Sequence, residues 1–308
     1  MKKNFLLALM ALLCTSIWAG RYTDFYRQLP LSMPEAITPN IPDHTISILD
    51  CGAQGDGIAM NTAAFEKAIS QLSQQGGGHI MVPAGIYLTG PIALKDNIDL
   101  HLDKNAIIVA SPDKSVYIKR QPNKDSDKTT PLISASKRSN ISITGEGVID
   151  GNGEYWRPVK RVKNSDTEWN QYKSMGGTVS AKGDLWYPFN LKHLPNVAAT
   201  AEEQEKMRAH LIRLTDCDRV LLQGVTIINS PRFHIVPQRC TNVIIDGVTV
   251  KCPWNAQNGD AIDIGNCRNV LIVNNTIDVG DDGICMKGGV GTVGLSYGPC
   301  ENINIQNN

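Results

Sequence analysis

The chain has 308 residues, a net charge of zero (30 Lys and Arg against 30 Asp and Glu) and 42% apolar residues. That apolar fraction excludes a disordered protein, and the length fits two ordinary domains or one large all-β domain. An even charge argues against nonspecific nucleic-acid binding, which needs a basic face.

In chain order, Lys2 and Lys3 precede an apolar run from Phe5 to Leu13, and small and polar residues then lead to Ala19-Gly20. This is the layout of a secretory signal peptide over residues 1–20, too short to span a bilayer. Its removal takes two lysines and no acids, leaving a balance of −2. No later stretch is apolar enough to form a membrane span, so the sequence predicts a secreted or periplasmic protein. Residues 21–44 carry Pro30, Pro34, Pro39 and Pro42 and read as an extended, poorly structured segment. A turn-rich loop, Asp50 to Gly57, leads to a helix capped by Asn61. Ala64, Phe65, Ala68, Ile69 and Leu72 form its apolar stripe, and Gly76-Gly77-Gly78 ends it.

Beyond this helix, short β-branched runs replace helix-period patterns. One phrase returns four times: Cys217-Asp-Arg-Val-Leu-Leu222, Cys240-Thr-Asn-Val-Ile-Ile245, Cys267-Arg-Asn-Val-Leu-Ile272 and Cys300-Glu-Asn-Ile-Asn-Ile305. Ser139-Asn140-Ile141-Ser142-Ile143 is an earlier relative without the Cys. A repeat with one apolar strand per copy cannot bury its face alone, so the copies must stack. The spacings of 23, 27 and 33 residues vary too much for a blade or horseshoe of fixed period. They fit an all-β parallel β-helix over residues 45–308, with the helix as a short N-terminal cap. A β-sandwich is the runner-up. Stacking places Cys217, Cys240, Cys267 and Cys300 in a column about 4.8 Å apart per step. A linear column offers no tetrahedron for zinc, so these are read as small buried hydrophobes. Asn242, Asn269 and Asn302 form a second column, read as an amide ladder at a bend.

The chemistry gathers in Asn258-Gly259-Asp260-Ala261-Ile262-Asp263 and Gly280-Asp281-Asp282-Gly283. About one coil separates Asp260 from Asp281, which sets both on one face. For Asp281 and Asp282 to reach the same cleft the backbone must bend, and Gly280 and Gly283 permit that. Crowded carboxylates cannot all ionise readily, so at least one should hold its proton. A protonated acid beside ionised partners is what glycosidic cleavage requires. Asp263 lies an odd number of residues from Asp260, so a regular strand points it elsewhere, in a structural role. The alternative for every Asp-Gly pair is ordinary turn chemistry.

At these residues the chain resembles glycoside hydrolase family 28, the polygalacturonase family. Asn258-Gly259-Asp260 is similar to its Asn-Thr-Asp motif, with Gly259 in place of Thr, and Asp281-Asp282 to its Asp-Asp pair. The Gly55-Asp56-Gly57 to Pro91 region also looks like bacterial members. The resemblance implies a right-handed parallel β-helix (a pectin-lyase-like solenoid), no cofactor and no metal. It implies that Asp281 is the general acid and that Asp260 and Asp282 activate water for inversion on a galacturonan. The family's Gly-His-Gly and Arg-x-Lys do not follow Asp282 in this sequence. A chain that lacks its last coils is the expectation drawn from that.

Residues 154–208 interrupt the repeat and hold Trp156, Trp169 and Trp186 among Arg157, Lys160, Arg161, Lys163 and Lys173. They read either as sugar platforms with cations for uronates, or as an insertion with its own minor core. An insertion walling one end of the cleft would favour exo attack. Asn258 and Lys287 are candidate substrate-binding residues, although a lone lysine is more often solvated. His234 is read as packed rather than catalytic. The expected partner is a pectic polysaccharide or oligogalacturonide, bound by a monomer, with neither nucleic acid nor a membrane. The rival readings are a Ca²⁺-dependent pectate lyase and a noncatalytic carbohydrate-binding β-helix.

Overall fold

A computed structural model of the chain describes residues 20–27, 29–119, 128–188, 200–289 and 291–308. Residues 1–19 of the expected signal peptide lie outside the described residues.

Three long parallel sheets of eight, seven and six strands dominate the chain. One coil takes a strand from each. Asp218–Gln223 lies in the eight-stranded sheet, Thr226–Ile228 in the seven-stranded and Ile235–Gln238 in the six-stranded, and Thr241–Asp246 then begins the next coil. Sequence phase becomes register directly. Ile98, Ile141, Val220, Val243, Val270 and Ile303 are successive partners across six coils of the eight-stranded sheet. Ile133, Ile212, Ile235, Ile262 and Ile284 do the same in the six-stranded sheet. All of these except Ile284 and Ile303 are buried, and each fully buried side chain of this kind stabilises by roughly 2–3 kcal/mol.

The asparagine ladder is present, and asparagines recur at the same bend in earlier coils, with Arg219 (φ 55°) interrupting the column between Asn140 and Asn242. Asn97, Asn140, Asn242, Asn269 and Asn302 all adopt left-handed backbone, with φ between 55° and 59° for all but Asn302 at 54°. Asn tolerates this conformation better than most residues, which is why it recurs at the bend. Asn269 Nδ2 donates to Asn242 Oδ1 at 3.4 Å, and Asn302 Nδ2 to Asn269 Oδ1 at 3.0 Å. Cys217, Cys240 and Cys267 are buried and Cys300 partly so, and none forms a disulfide. The side-chain hydrogen bond with Cys240, then burial, holds the Cys217 thiol far above its ordinary range, so it stays unreactive.

Helix Thr62–Gln74 covers the first coils and buries the five residues of its expected stripe. Asn61 occupies the cap position but its side chain does not cap the helix. It instead accepts from Gln54 N at 2.7 Å and donates to the Ala59 carbonyl at 2.8 Å, tying the preceding loop to itself.

Of the segment expected to be extended, Asp24–Arg27 form a short helix and residues 29–44 hold neither helix nor strand, yet both parts are anchored. They run along the outer face of the eight-stranded sheet. Tyr22 and Ala36 pack with Leu221, Ile244, Leu271 and Val273 into a second apolar cluster. Tyr22 OH donates to Asp246 at 3.0 Å, and Ile37 N and Asn40 N donate to the side chains of Asn242 and Asn140. The prolines remove N–H donors, while the tyrosine and the regularly spaced amides supply the anchoring that composition alone does not show.

In the inserted region the tryptophans are not platforms. Trp156, Trp169 and Trp186 are all buried. Trp186 Nε1 donates to the Gly176 carbonyl, its ring meets Tyr172 at 5.1 Å, and Trp156 meets Tyr117 edge-on at 5.3 Å. Trp169 and Trp186, with helix Asp166–Ser174 and the antiparallel strands Val159–Lys160, Thr178–Val179 and Leu185–Tyr187, build a minor core, whereas Trp156 joins the main core of the β-helix. No helix among the described residues is long and apolar enough to cross a membrane.

Candidate active site

The six-stranded sheet carries the chemistry. Its backbone ladder (Leu211 N to Phe233 O, His234 N to Asp260 O, Ala261 N to Asp282 O) sets His210, Phe233, Asp260 and Asp282 at equivalent places in four successive coils. Each stands two residues before an in-register isoleucine: Ile212, Ile235, Ile262 or Ile284. The next outward position holds Arg213, Val236, Asp263 and Cys285. A second repeated phrase is therefore present in the sequence, at the strands of this sheet. It would have revealed His210 and Phe233, and their neighbours Arg208 and Arg232, as site residues that the first phrase misses.

Carboxylate oxygens of Asp260, Asp281 and Asp282 all lie within 4.8 Å of one another, with Asp260 buried and the pair exposed. The expected gathering of these three is what the structure contains. Asp281 and Asp282 sit in the bend before strand Ile284–Met286. Neither Gly280 nor Gly283 has a positive φ. Gly280 is needed for space instead, because a Cβ there would be driven into the Trp254 carbonyl.

Asp263 is the main correction. It does not point away: Lys287 Nζ donates to Asp263 at 2.6 Å and to Asp260 at 3.0 Å, so both acids face one ammonium. A regular strand running from Asp260 would turn Asp263 away, but the strand begins only at Ile262. Burial, more than the ammonium can offset, pushes Asp263 up to about 6, with repulsion from Asp260 and Asp282 adding to it. Burial also raises Asp260, against Lys287, with Asp281 a lesser contribution. Desolvation rather than mutual crowding is thus the first cause of proton retention here. One oxygen each of Asp260 and Asp263 is buried without a protein partner.

Lys287 is not a solvated surface lysine. Besides its two ion pairs, its ammonium lies 4.0 Å from the centroid of the Phe233 ring. Asn258 has left-handed backbone (φ 54°), and its Oδ1 accepts from Arg208 at 3.3 Å. The Arg208 side chain is fully buried and also donates to the Gln257 carbonyl at 2.6 Å, so the end of the inserted region clamps the loop that leads to Asp260. His234 is fully buried. Its Nε2 accepts from Ser230 N at 3.2 Å, which leaves Nδ1 as the donor to the Asp260 carbonyl at 2.9 Å. Burial pushes it down to about 4, so it is a neutral brace for the backbone at Asp260.

A shared, partly desolvated carboxylate cluster on the flank of a β-helix suits acid–base work on a bond held across the sheet. Residues 165–307 match the model of glycosyl hydrolases family 28. The chain belongs to that family. Residues 45–172 match a second model, described as rhamnogalacturonase A/epimerase, pectate lyase-like. The chain is 30% identical over 267 residues to a probable polygalacturonase of Vitis vinifera, covering 83% of this chain and 46% of that one. It is 30% identical over 276 residues to an exo-poly-alpha-D-galacturonosidase of Dickeya chrysanthemi, covering 85% and 45%. Among solved structures, a hyperthermoactive exopolygalacturonase from Thermotoga maritima superposes with a TM-score of 0.66 at 32% identity, covering 87% of this chain and 60% of that one. The chain spans about half the length of these curated relatives. The fold is the right-handed parallel β-helix that the sequence predicts.

Proposed function

We propose that this family 28 chain hydrolyses α-linked galacturonan, with Asp281 protonating the leaving oxygen and Asp260 and Asp282 activating water. The observation that carries this reading is the three-carboxylate cluster within 4.8 Å, inside the segment that matches the family. Asp281 is exposed at the mouth of the cluster, where it can meet the leaving oxygen of a sugar seated over it. Lys287 holds the negative charge of the two buried acids in place. An ammonium has three N–H donors; two serve Asp260 and Asp263, which leaves one for a sugar oxygen. Asn258, its oxygen engaged by Arg208, offers its NH₂ group. The protein works as an exported monomer, and the inserted region beside the site favours attack from a chain end.

Inverting acid–base pairs commonly stand about 6.5–9.5 Å apart, farther than this cluster. We read the short spacing as Asp260 and Asp282 sharing one water beside the acid, rather than facing it across the bond. Proton NMR of the first products decides this. Inversion of an α-linkage releases the β-anomer first. Early α-anomer would make Asp282 or Asp260 a nucleophile. Unsaturated, ultraviolet-absorbing products that disappear with chelator would instead assign the carboxylates to Ca²⁺ and an elimination.

A further inference from the structure

One coil before Asp260, the cleft changes sign. Phe233 occupies the position equivalent to Asp260, and three groups gather on its ring. His210 stacks on it with centroids 4.9 Å apart, the Arg232 guanidinium carbon lies 5.3 Å from the centroid, and Lys287 Nζ lies 4.0 Å from it. Lys287 is committed to Asp260 and Asp263. Arg232 is not committed: among the described residues no carboxylate is within ion-pair distance of it, and its Nε is buried without a partner. His210 Nδ1 is likewise buried and unpaired. The His210 ring is pushed down to about 3, by burial first and then by Arg213, Arg232, Lys287 and Arg208, so it is a neutral group inside a ring of cations.

A buried guanidinium donor left without an acceptor costs free energy in the free protein unless a ligand supplies one. The ligand must be anionic and planar enough to meet a guanidinium fork, which a carboxylate is. It must also tolerate an aromatic face beside the acid, which the apolar face of a sugar ring does. We infer that Arg232, beside Phe233 and His210, binds the carboxylate of the uronic-acid unit seated one coil from the catalytic acids, and so selects free acid over ester. This deepens the proposed function and rests on it. The positive groups lie on one side of Asp260 and the exposed acids Asp281 and Asp282 on the other. A charged unit is therefore attracted to the first side and repelled from the second, which fixes the position of the bond relative to the acids.

The test is calorimetric binding of trigalacturonate, and of its fully methyl-esterified form, to the Asp281→Asn protein, which does not turn the ligand over. With Arg232 intact, the free acid binds more tightly. Arg232→Gln weakens the free acid about tenfold to a hundredfold and leaves the ester within about twofold, and Arg232→Lys recovers part of the loss. Thermal melting of each variant checks the fold, and the half-exposed Arg232 makes the Lys variant a sound control. Unchanged affinity of Arg232→Gln for the free acid, or equal loss for both ligands, overturns the inference. If the chain with Asp281 intact hydrolyses no galacturonan and the Asn variant binds neither ligand, the proposed function fails and the inference with it. Hydrolysis with no Arg232 effect on binding removes the inference alone.

Discussion

Two faces of one coil handle polar groups in opposite ways. On the eight-stranded sheet, Asn140 pairs with Asn97, Asn269 with Asn242 and Asn302 with Asn269, Arg219 donates to Asn140 where it interrupts the column, and the N-terminal segment adds donors to Asn140 and Asn242. Like meets like except at Arg219, and the side-chain amides find partners in the column or beside it, as Asn242 does in Asp218. On the six-stranded sheet the same stacking sets unlike residues in one column, His210, Phe233, Asp260 and Asp282, and leaves buried oxygens and nitrogens without protein partners. Identical geometry thus builds a structural spine where the column repeats and a reactive surface where it varies. Unpaired buried polar groups are costly, and they mark the face that expects a ligand.

The contrast can be broken from either side. Lys287→Met removes the cation shared by two buried carboxylates and has the largest effect on stability. We expect a loss of roughly 2–3 kcal/mol at pH 8, below the value for fully buried pairs because Lys287 is partly exposed, together with loss of activity. The sign with pH follows from the raised acids. Without Lys287 the folded chain holds protons on Asp260 and Asp263 more tightly than the unfolded chain does, so stability falls as pH rises through about 6 and above. Melting temperatures of the variant and its parent should therefore converge towards pH 4 and diverge towards pH 8; a constant gap would mean that packing, not charge, is lost. On the other face, Asn269→Ala removes two ladder hydrogen bonds and forces a left-handed Ala. We expect a loss of about 1–2 kcal/mol with no change in hydrolytic rate, from chemical denaturation and a rate assay. A fall in rate would show that the two faces are not independent.

Much of this division was legible in the sequence. The phrase beginning at Cys217, Cys240, Cys267 and Cys300 predicts the stack, and the alternation within it predicts which side chains are buried. The clustering of Asp260, Asp281 and Asp282 followed from coil-length spacing together with the bend expected between Gly280 and Gly283. What escaped was governed by backbone outside the strands. Asp263 joins the cluster because the chain turns between Asp260 and Ile262, where no strand parity applies. Arg232 and Arg208 sit in loops, at places that only the weaker repeat around His210, Phe233, Asp260 and Asp282 marks. Composition left the three tryptophans of the inserted region open between sugar platforms and a minor core, because their burial is decided by contacts such as Trp186 to Gly176 and Tyr172, far from any periodic signal.

The central claim is that the carboxylate cluster performs hydrolysis, and Asp281 is its most direct point of attack. Release of reducing ends from polygalacturonate should be measured for the chain and for Asp281→Asn, with matched circular dichroism. Loss of the proton donor predicts a rate lower by about a hundredfold to ten-thousandfold in a folded protein. A variant that keeps more than a tenth of the rate would contradict the account.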